Sequence, residues 1–281
     1  MDSIKHYIQL IVPEYIPMAI TTALVGAIVT SNTLPGIEFL VVAVVLSLIV
    51  GAFNSFNAIA DKEIDTINKP ERPIPSKKVE EKNALIFAVL LYIIALVLSL
   101  TINLELFLIV LIAVIVTAAY SYPGINLKKR FTIGNFTVTI FYAVLCFLAG
   151  WALYPTQPIP FPIIGFLFLT GFSLSISKDF MDMPGDSFHR AHTLPVQIGK
   201  KRSIITIISI LILAYIFLLA MILQNFILEK YYYLFAILPL MILNINEFRR
   251  ESTTYESNGV FLKTIVLIIS LELGIIALEL F

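Results

Sequence analysis

The sequence predicts an all-α membrane protein with nine transmembrane helices. Of its 281 residues, 59% are hydrophobic and only 14% are charged, whereas a soluble domain is usually about 45–50% apolar and about 25% charged. The apolar residues also form segments of the length that a helix needs to cross a bilayer, about 20 residues. Both observations indicate a protein that crosses the membrane several times.

Nine segments are long and apolar enough to span the bilayer, and the connections between them alternate between short ones and long polar ones. The long connections cover 60–82, 123–131, 181–202 and 249–259. No stretch has the composition of a soluble domain, so 1–281 is predicted to form a single transmembrane domain. The predicted spans are Tyr7–Thr30, Ile37–Ile59, Asn83–Ile102, Leu106–Tyr122, Thr132–Leu153, Pro160–Phe180, Ser203–Leu223, Tyr231–Phe248 and Val260–Leu280.

The basic residues define the expected orientation. All but Lys230 of the 19 lysines and arginines lie at the N-terminus, in the long connections or at the span ends next to them. Cytoplasmic loops carry such an excess, which predicts a multi-pass protein of the cell membrane with a cytoplasmic N-terminus and the C-terminus outside. The net charge is zero, so no nucleic acid partner is expected. Nothing in the sequence indicates an obligate protein partner.

Acidic residues are concentrated at the ends of two predicted spans, on the side of the long connections. The polar residues of the first group follow one another at intervals of three, four and four residues, which places them on one face of a continuing helix. Ionisable groups at membrane depth are costly and indicate function. The first group consists of Asn54, Asn57, Asp61 and Asp65.

The second group lies at the end of the sixth span and contains Asp179, Asp182 and Asp186. Asp179 and Asp182 share one helical face. Pro184 and Gly185 are predicted to end or kink the helix, which would place Asp186 in the following loop. A single aspartate at a helix end could simply be solvated, but two arrays that contain five of the six aspartates indicate a site.

Two facing aspartate groups suit a site that binds a diphosphate through Mg²⁺. Mg²⁺ is usually held by one or two carboxylates together with substrate phosphates and water, and it stabilises a diphosphate as a leaving group. Tyr120 and Tyr122 could stabilise a cation or belong to an aromatic belt. Basic residues near both groups could contact phosphate oxygens or serve only as topology signals. They are Lys69, Arg72, Lys77, Lys78, Lys128, Lys129, Arg130 and Lys178.

A transporter is the main alternative class, because intramembrane carboxylates also mark ion pathways. Transporters tend to place such residues near the bilayer midplane on broken helices, often in repeated halves. Here the aspartates lie at helix ends, and the sequence shows no repeat of the helix-break pattern. A purely structural membrane scaffold would leave the paired aspartate groups unexplained.

Over essentially the whole chain, the sequence resembles the UbiA superfamily of intramembrane prenyltransferases. The pattern NDxxDxxxD is represented by Asn57, Asp61 and Asp65, and the pattern DxxDxxxD by Asp179, Asp182 and Asp186. The resemblance implies nine helices around a central cavity, Mg²⁺ as the cofactor, and a polyprenyl diphosphate and a lipid acceptor as substrates. It implies metal binding and catalysis by the aspartates at 61, 65, 179 and 182. It implies substrate contacts by Asn54, Asn57, Arg72, Tyr120, Tyr122, Lys128, Lys178 and Asp186.

One departure from the family pattern lies within the first aspartate motif. Ala58 stands where the family usually has an aspartate, which implies that one metal ligand is missing and that Asn54 or Asn57 compensates for it.

Two segments, Asn68–Ser76 and Lys178–Gly199, are most similar to archaeal members of the family. Those enzymes transfer a geranylgeranyl group from geranylgeranyl diphosphate to the hydroxyl of geranylgeranylglyceryl phosphate, which forms the second ether bond of archaeal lipids. The resemblance implies the same acceptor here, and an aromatic acceptor is the alternative. The phosphate of a glycerol phosphate acceptor would need a second basic patch, for which Arg190 and Lys200–Arg202 are the candidates.

Overall fold

The computed structural model describes residues 2–188, 192–250 and 254–281, and these are helical with no β-strand. Within this part of the chain, eight helical segments are long and apolar enough to cross a membrane. They correspond to eight of the nine predicted spans and confirm the prediction of an all-α, multi-pass membrane protein. The α-helices are α1 (Asp2–Ile11), α2 (Ile16–Ser31), α3 (Glu38–Ala60), α4 (Lys62–Asn68), α5 (Glu81–Ser99), α6 (Leu104–Ser121), α7 (Ile133–Thr139), α8 (Cys146–Trp151), α9 (Phe161–Ser175), α10 (Asp179–Phe188), α11 (Leu194–Ile198), α12 (Lys200–Leu223), α13 (Leu238–Glu247) and α14 (Thr254–Leu280).

The remaining predicted span, Tyr231–Phe248, is the eighth in chain order and is divided into two helical pieces. Its first half is a 3₁₀ helix over Glu229–Ala236, and α13 forms the second half. Pro239 lies at the start of α13, where a missing N–H is tolerated. Tyr231 is buried in the bundle, so the segment packs with the other helices although it is not one continuous α-helix.

The first predicted span, Tyr7–Thr30, is interrupted at Val12. This residue has a φ angle of 52°, a left-handed conformation that is strained for a β-branched side chain, and Pro13 follows it directly. As a consequence α1 ends before this point and packs on α3, while α2 continues separately into the bundle.

The helices form a ring that follows the order of the chain. α2 packs against α3, α3 against α5, α5 against α6, and α6 against α7, which contacts α9. On the other side α9 packs against α12, α12 against α13, and α13 against α14. A contact between α14 and α2 closes the ring, and two clusters of buried apolar side chains fill its walls.

Two glycines bring α2 and α8 into direct backbone contact at the end of the ring away from the aspartates. A Cβ atom at Gly26 would lie 2.0 Å from the carbonyl oxygen of Phe147. A Cβ atom at Gly150 would lie 1.8 Å from the carbonyl oxygen of Ala23. These distances leave no room for a side chain, so the contact between the two helices closes this end of the ring.

Gly150→Ala should therefore destabilise the protein by about 1–3 kcal/mol, the usual range for overpacking a closed contact. The measurement is the Tm of the purified protein in detergent. Gly259→Ala is the matched control, because a Cβ atom there meets nothing within 4 Å and alanine favours a helix over glycine. Equal Tm values for the two variants would contradict the close contact between α2 and α8.

Candidate active site

Two connected cavities lie inside the ring. The larger one, with about 950 Å³ of empty space, is mostly apolar and is lined by α2, α3, α6, α7, α9 and α14, and by a π-helical turn over Ile140–Leu145. The smaller one, of about 450 Å³, is polar. Tyr120, Lys178 and Asp179 line both cavities, so the two cavities adjoin at these residues, and the polar cavity is also called the polar mouth.

The polar cavity brings together aspartates of both groups, which are more than a hundred residues apart in the sequence. Four of its lining side chains are carboxylates and two are lysines. One carboxylate comes from the end of α3 and three come from α10. The cavity is lined by Asp61, Ile64, Tyr120, Lys128, Lys178, Asp179, Asp182, Asp186 and Thr193.

Lys128 links the first aspartate group to the turn that follows α6. Its side chain is only 8% exposed, and it donates to Asp61 and, over 3.3 Å, to Oδ1 of Asn57. Ser121 donates to the same oxygen of Asn57, also over 3.3 Å. The turn lies directly on α7, since a Cβ atom at Gly134 would be 2.9 Å from Cα of Lys128. The ammonium group is thus held where an anion entering the polar cavity would meet it.

Two further ion pairs connect the loop after α4 to the aspartates. Nζ of Lys69 lies 2.6 Å from Asp182, and Nη1 of Arg72 lies 2.9 Å from Asp65. The Asp65 side chain is only 4% exposed and does not line the polar cavity, which argues against its implied role as a direct metal ligand. Burial raises the pKa of Asp65 above its ordinary value, although Arg72 and Lys69 act in the opposite direction. Burial lowers the pKa of Arg72, but Asp65 and Asp182 raise it by more, so the pKa of Arg72 is raised as well. The balance between desolvation and attraction therefore differs between the two residues of this pair.

α10 continues through Pro184, which corrects the expectation that Asp186 lies in a loop. Proline lacks an N–H and usually breaks a helix interior. Here the side chain of Asn68 accepts a hydrogen bond from the Gly185 N–H at 2.8 Å and donates one to the Asp182 carbonyl at 3.1 Å. The amide supplies partners to backbone groups beside the proline, so the helix persists and Asp186 stays in the wall of the polar cavity.

Asn68 is absent from the predicted site, although its position three residues after Asp65 continues the same helical face. Asn68→Ala should destabilise the protein by about 1–3 kcal/mol, because it removes both hydrogen bonds of the amide to α10, one of which involves the buried Gly185 N–H. It should also reduce turnover, because Asp182 is held by the same contact. The measurements are Tm and activity, with Thr66→Ala, an exposed change on the same helix, as the control. A Tm equal to that of the control would contradict the proposed support of α10.

Three predicted substrate contacts occupy different environments. Asn54 lines the apolar cavity and donates to the Ile11 carbonyl at 3.0 Å. Tyr120 lies at the junction of the cavities, edge to face with Phe53 at a centroid distance of 5.2 Å. Tyr122 is 55% exposed and lines neither cavity, so the structure removes it from the candidate site.

Ala58 is buried in an apolar cluster with Leu10 and Val79 and does not face the polar cavity. The alanine therefore does not remove a ligand from this cavity, which corrects the expectation of a missing ligand. Lys77 and Lys78 are exposed on the loop above this cluster and line neither cavity. Their positions fit surface anchors rather than phosphate contacts.

The donors of the polar cavity fit a divalent cation. Carboxylate oxygens are the hard ligands that such ions prefer, and four aspartates line the same cavity. Lysines pair with Asp61 and Asp182, and in the described part of the chain no three acidic, histidine or cysteine side chains are grouped closely enough to hold an ion as they stand. Cation binding would therefore require these two aspartates to exchange their lysine partners for the ion.

An anionic head in the polar mouth and a long apolar tail in the larger cavity describe the kind of molecule that this site can take. That combination is typical of membrane-embedded enzymes that act on isoprenoid lipids. The UbiA prenyltransferase family matches residues 19–264, and the chain belongs to this family. It is therefore a prenyltransferase.

Individual relatives agree with this assignment. The digeranylgeranylglyceryl phosphate synthase of Methanosphaera stadtmanae is 33% identical over 198 residues, which cover 70% of this chain and 71% of that protein. The synthase of Methanospirillum hungatei is 34% identical over 202 residues, 70% of each chain. A solved structure from work on digeranylgeranylglyceryl phosphate synthase in membranes is 30% identical, with a TM-score of 0.72 over 100% of this chain and 99% of that one. A UbiA homologue from Archaeoglobus fulgidus bound to DMAPP and Mg²⁺ shares the fold, with a TM-score of 0.76 and 16% identity over 98% of both chains.

Proposed function

We propose that this enzyme transfers a geranylgeranyl group from geranylgeranyl diphosphate to the free hydroxyl of geranylgeranylglyceryl phosphate, with Mg²⁺ as cofactor, in the synthesis of archaeal membrane ether lipids. The observation that carries this proposal is the junction of the two cavities, which Tyr120, Lys178 and Asp179 share. A diphosphate in the polar cavity and its tail in the apolar one would place the reacting C–O bond at this junction. The relatives named as digeranylgeranylglyceryl phosphate synthases support the choice of donor and acceptor.

In this proposal Asp61, Asp179 and Asp182 hold Mg²⁺, with Asn57 and Asp186 in support. When bound, the ion neutralises the diphosphate and makes it a better leaving group. Lys128 and Lys178 contact phosphate oxygens, because both ammonium groups line the polar cavity. Asp65 positions Arg72. Arg72 lines neither cavity in this structure, and in this proposal it turns from Asp65 to reach the diphosphate from the loop after α4.

The reaction breaks the C–O bond between the allylic carbon and the diphosphate, and the electron pair leaves with the diphosphate. Positive charge develops on the allylic carbon at the cavity junction, where the ring of Tyr120 is placed to stabilise it. The acceptor oxygen then forms the new C–O bond and loses its proton to an aspartate of the second group or to the departing diphosphate. The products are the ether lipid, diphosphate and one proton.

The phosphate of the acceptor requires a further basic contact in this proposal. Lys201 and Arg202 are exposed in the first turn of α12, where they could meet a phosphate outside the polar cavity. Arg190, another predicted member of this patch, lies outside the described residues.

We also propose that 1–281 is one transmembrane domain with the polar cavity on the cytoplasmic side. The packing of α14 on α2 supports a single domain, since it joins the two ends of the chain. The basic residues on the side of the aspartates support the orientation.

A product assay on the purified protein in detergent tests the proposed activity. Labelled geranylgeranyl diphosphate and Mg²⁺ are supplied with either geranylgeranylglyceryl phosphate or an aromatic acid, each with an EDTA control. We expect a metal-dependent labelled product with the glycerol phosphate alone. A product with the aromatic acid alone would contradict the acceptor but not the family. No product with either acceptor, in folded protein, would contradict the proposal.

A further inference from the structure

The apolar cavity ends in a polar floor. On each lining helix, the lining residue farthest from the polar mouth marks the depth that the cavity reaches. On α14 the lining runs from Phe261 to Glu272. The two residues are eleven positions apart, which corresponds to roughly 16 Å along a helix at about 1.5 Å per residue. The floor consists of Thr22 from α2, Ala143 from the π-helical turn, Leu167 from α9 and Glu272 from α14.

Glu272 is the unexpected member of this floor, because it is an acid far from the aspartates and only 2% exposed. Thr22 donates to one of its carboxyl oxygens and Thr21 donates to the other. The catalytic proposal makes no use of this group. A carboxyl placed at the inner end of a membrane cavity is costly and indicates a function.

We infer that Glu272 is a specificity-determining residue that sets the longest prenyl chain the cavity accepts, an inference that rests on the proposed function. A chain end that reached further would have to press against the carboxyl and separate it from its threonines, which leaves buried polar groups without partners. One turn beyond the floor, the backbone contact at Gly26 and Gly150 closes the cavity between α2 and α8, so a longer chain could gain room only in the volume that the Glu272 side chain occupies. The inner end is thus closed by a polar group backed by rigid packing.

Removal of the carboxyl should not prevent folding. The hydroxyl of Thr22 also lies 2.8 Å from the Met18 carbonyl, and that of Thr21 lies 3.0 Å from the Pro17 carbonyl. Both hydroxyls can donate to the backbone when Glu272 is replaced. Glu272→Ala therefore creates an apolar extension of the cavity without leaving an unpaired donor.

The test measures kcat/KM with farnesyl, geranylgeranyl and geranylfarnesyl diphosphates competing for the same acceptor. Glu272→Ala should raise the preference for geranylfarnesyl over geranylgeranyl diphosphate by about tenfold, the lower end of what a change in an apolar pocket achieves. Glu272→Gln keeps the shape of the side chain and should leave the preference unchanged. Glu279→Ala is the control on the same helix, since this carboxyl binds Tyr231 at 2.6 Å and lines neither cavity.

A second variant and a second measurement distinguish an effect on chain length from a loss of folding and from an error in the proposed acceptor. Ala143→Leu raises the floor from the opposite wall and should shift the preference toward farnesyl diphosphate. Binding of the three donors is also measured by calorimetry without acceptor. An equal loss for all three donors in Glu272→Ala, or no shift in Ala143→Leu, would overturn the inference. Shifted donor binding without any product from geranylgeranylglyceryl phosphate would support the inference and contradict the proposed acceptor.

Discussion

Asp179→Asn should reduce turnover by at least about a hundredfold, the lower range for loss of one group that stabilises charge in a transition state, and should leave the protein folded. Asp179 lines both cavities, so its carboxylate lies beside the junction at which the C–O bond is proposed to break. The amide keeps the size of the side chain but loses the charge that would bind a divalent cation. Asn135, whose Nδ2 lies 3.2 Å from Oδ2 of Asp179, can still contact the remaining side-chain oxygen.

The measurement is kcat at saturating donor, acceptor and Mg²⁺, with Tm as the test of folding. Asp61→Asn should give a comparable loss, because Asp61 belongs to the facing group in the same cavity. Glu63→Gln is the matched control, since Glu63 is exposed on α4 and lines neither cavity. Full activity in either aspartate variant would contradict the proposed metal role.

The spans could be predicted from the sequence because apolar length is a local property. Eight of the predicted segments match helical segments of the required length and hydropathy. The points at which two of the spans are interrupted were harder to predict from the sequence. The break at Val12 depends on the backbone conformation of one residue, and the divided segment before α14 changes from a 3₁₀ helix to an α-helix. The average hydropathy of a segment reports neither detail.

Within each group, helical spacing predicts which aspartates share a face. The structure places Asp61 and the three aspartates of α10 around one cavity, and their roles in metal binding stay predictions. Asn68 and Glu272 could not be assigned from spacing, because their roles depend on contacts with residues far away in the sequence. The same reason explains the wrong expectation at Pro184, since a local rule predicts a break that a distant amide prevents. Tyr122 directly follows the last residue of α6 and has an extended backbone, so its side chain leaves the helical face that carries Tyr120.

Arg72→Met should lower the free energy of unfolding by about 3–5 kcal/mol, because it leaves the Asp65 carboxylate buried without its partner. The pair of Lys62 and Glu81 provides the control. Its nitrogen and oxygen are 3.0 Å apart, but its side chains are 45% and 49% exposed, so Lys62→Met should cost less than about 1 kcal/mol. Equal stability of the two methionine variants would contradict the buried environment of Asp65.

The double variant Asp65→Asn, Arg72→Met separates the structural role of Arg72 from its proposed contact with the diphosphate. Most of the lost stability should return, because a neutral amide in place of the Asp65 carboxylate leaves no buried charge without a partner. Activity should not return, because the methionine cannot contact a phosphate oxygen, and KM for the donor should stay raised. Unfolding and kinetics measured on the wild type, both single variants and the double variant give the coupling between the two residues. Recovery of stability and activity together would show that Arg72 serves only to neutralise Asp65, and the diphosphate would then be held by Lys128 and Lys178 without it.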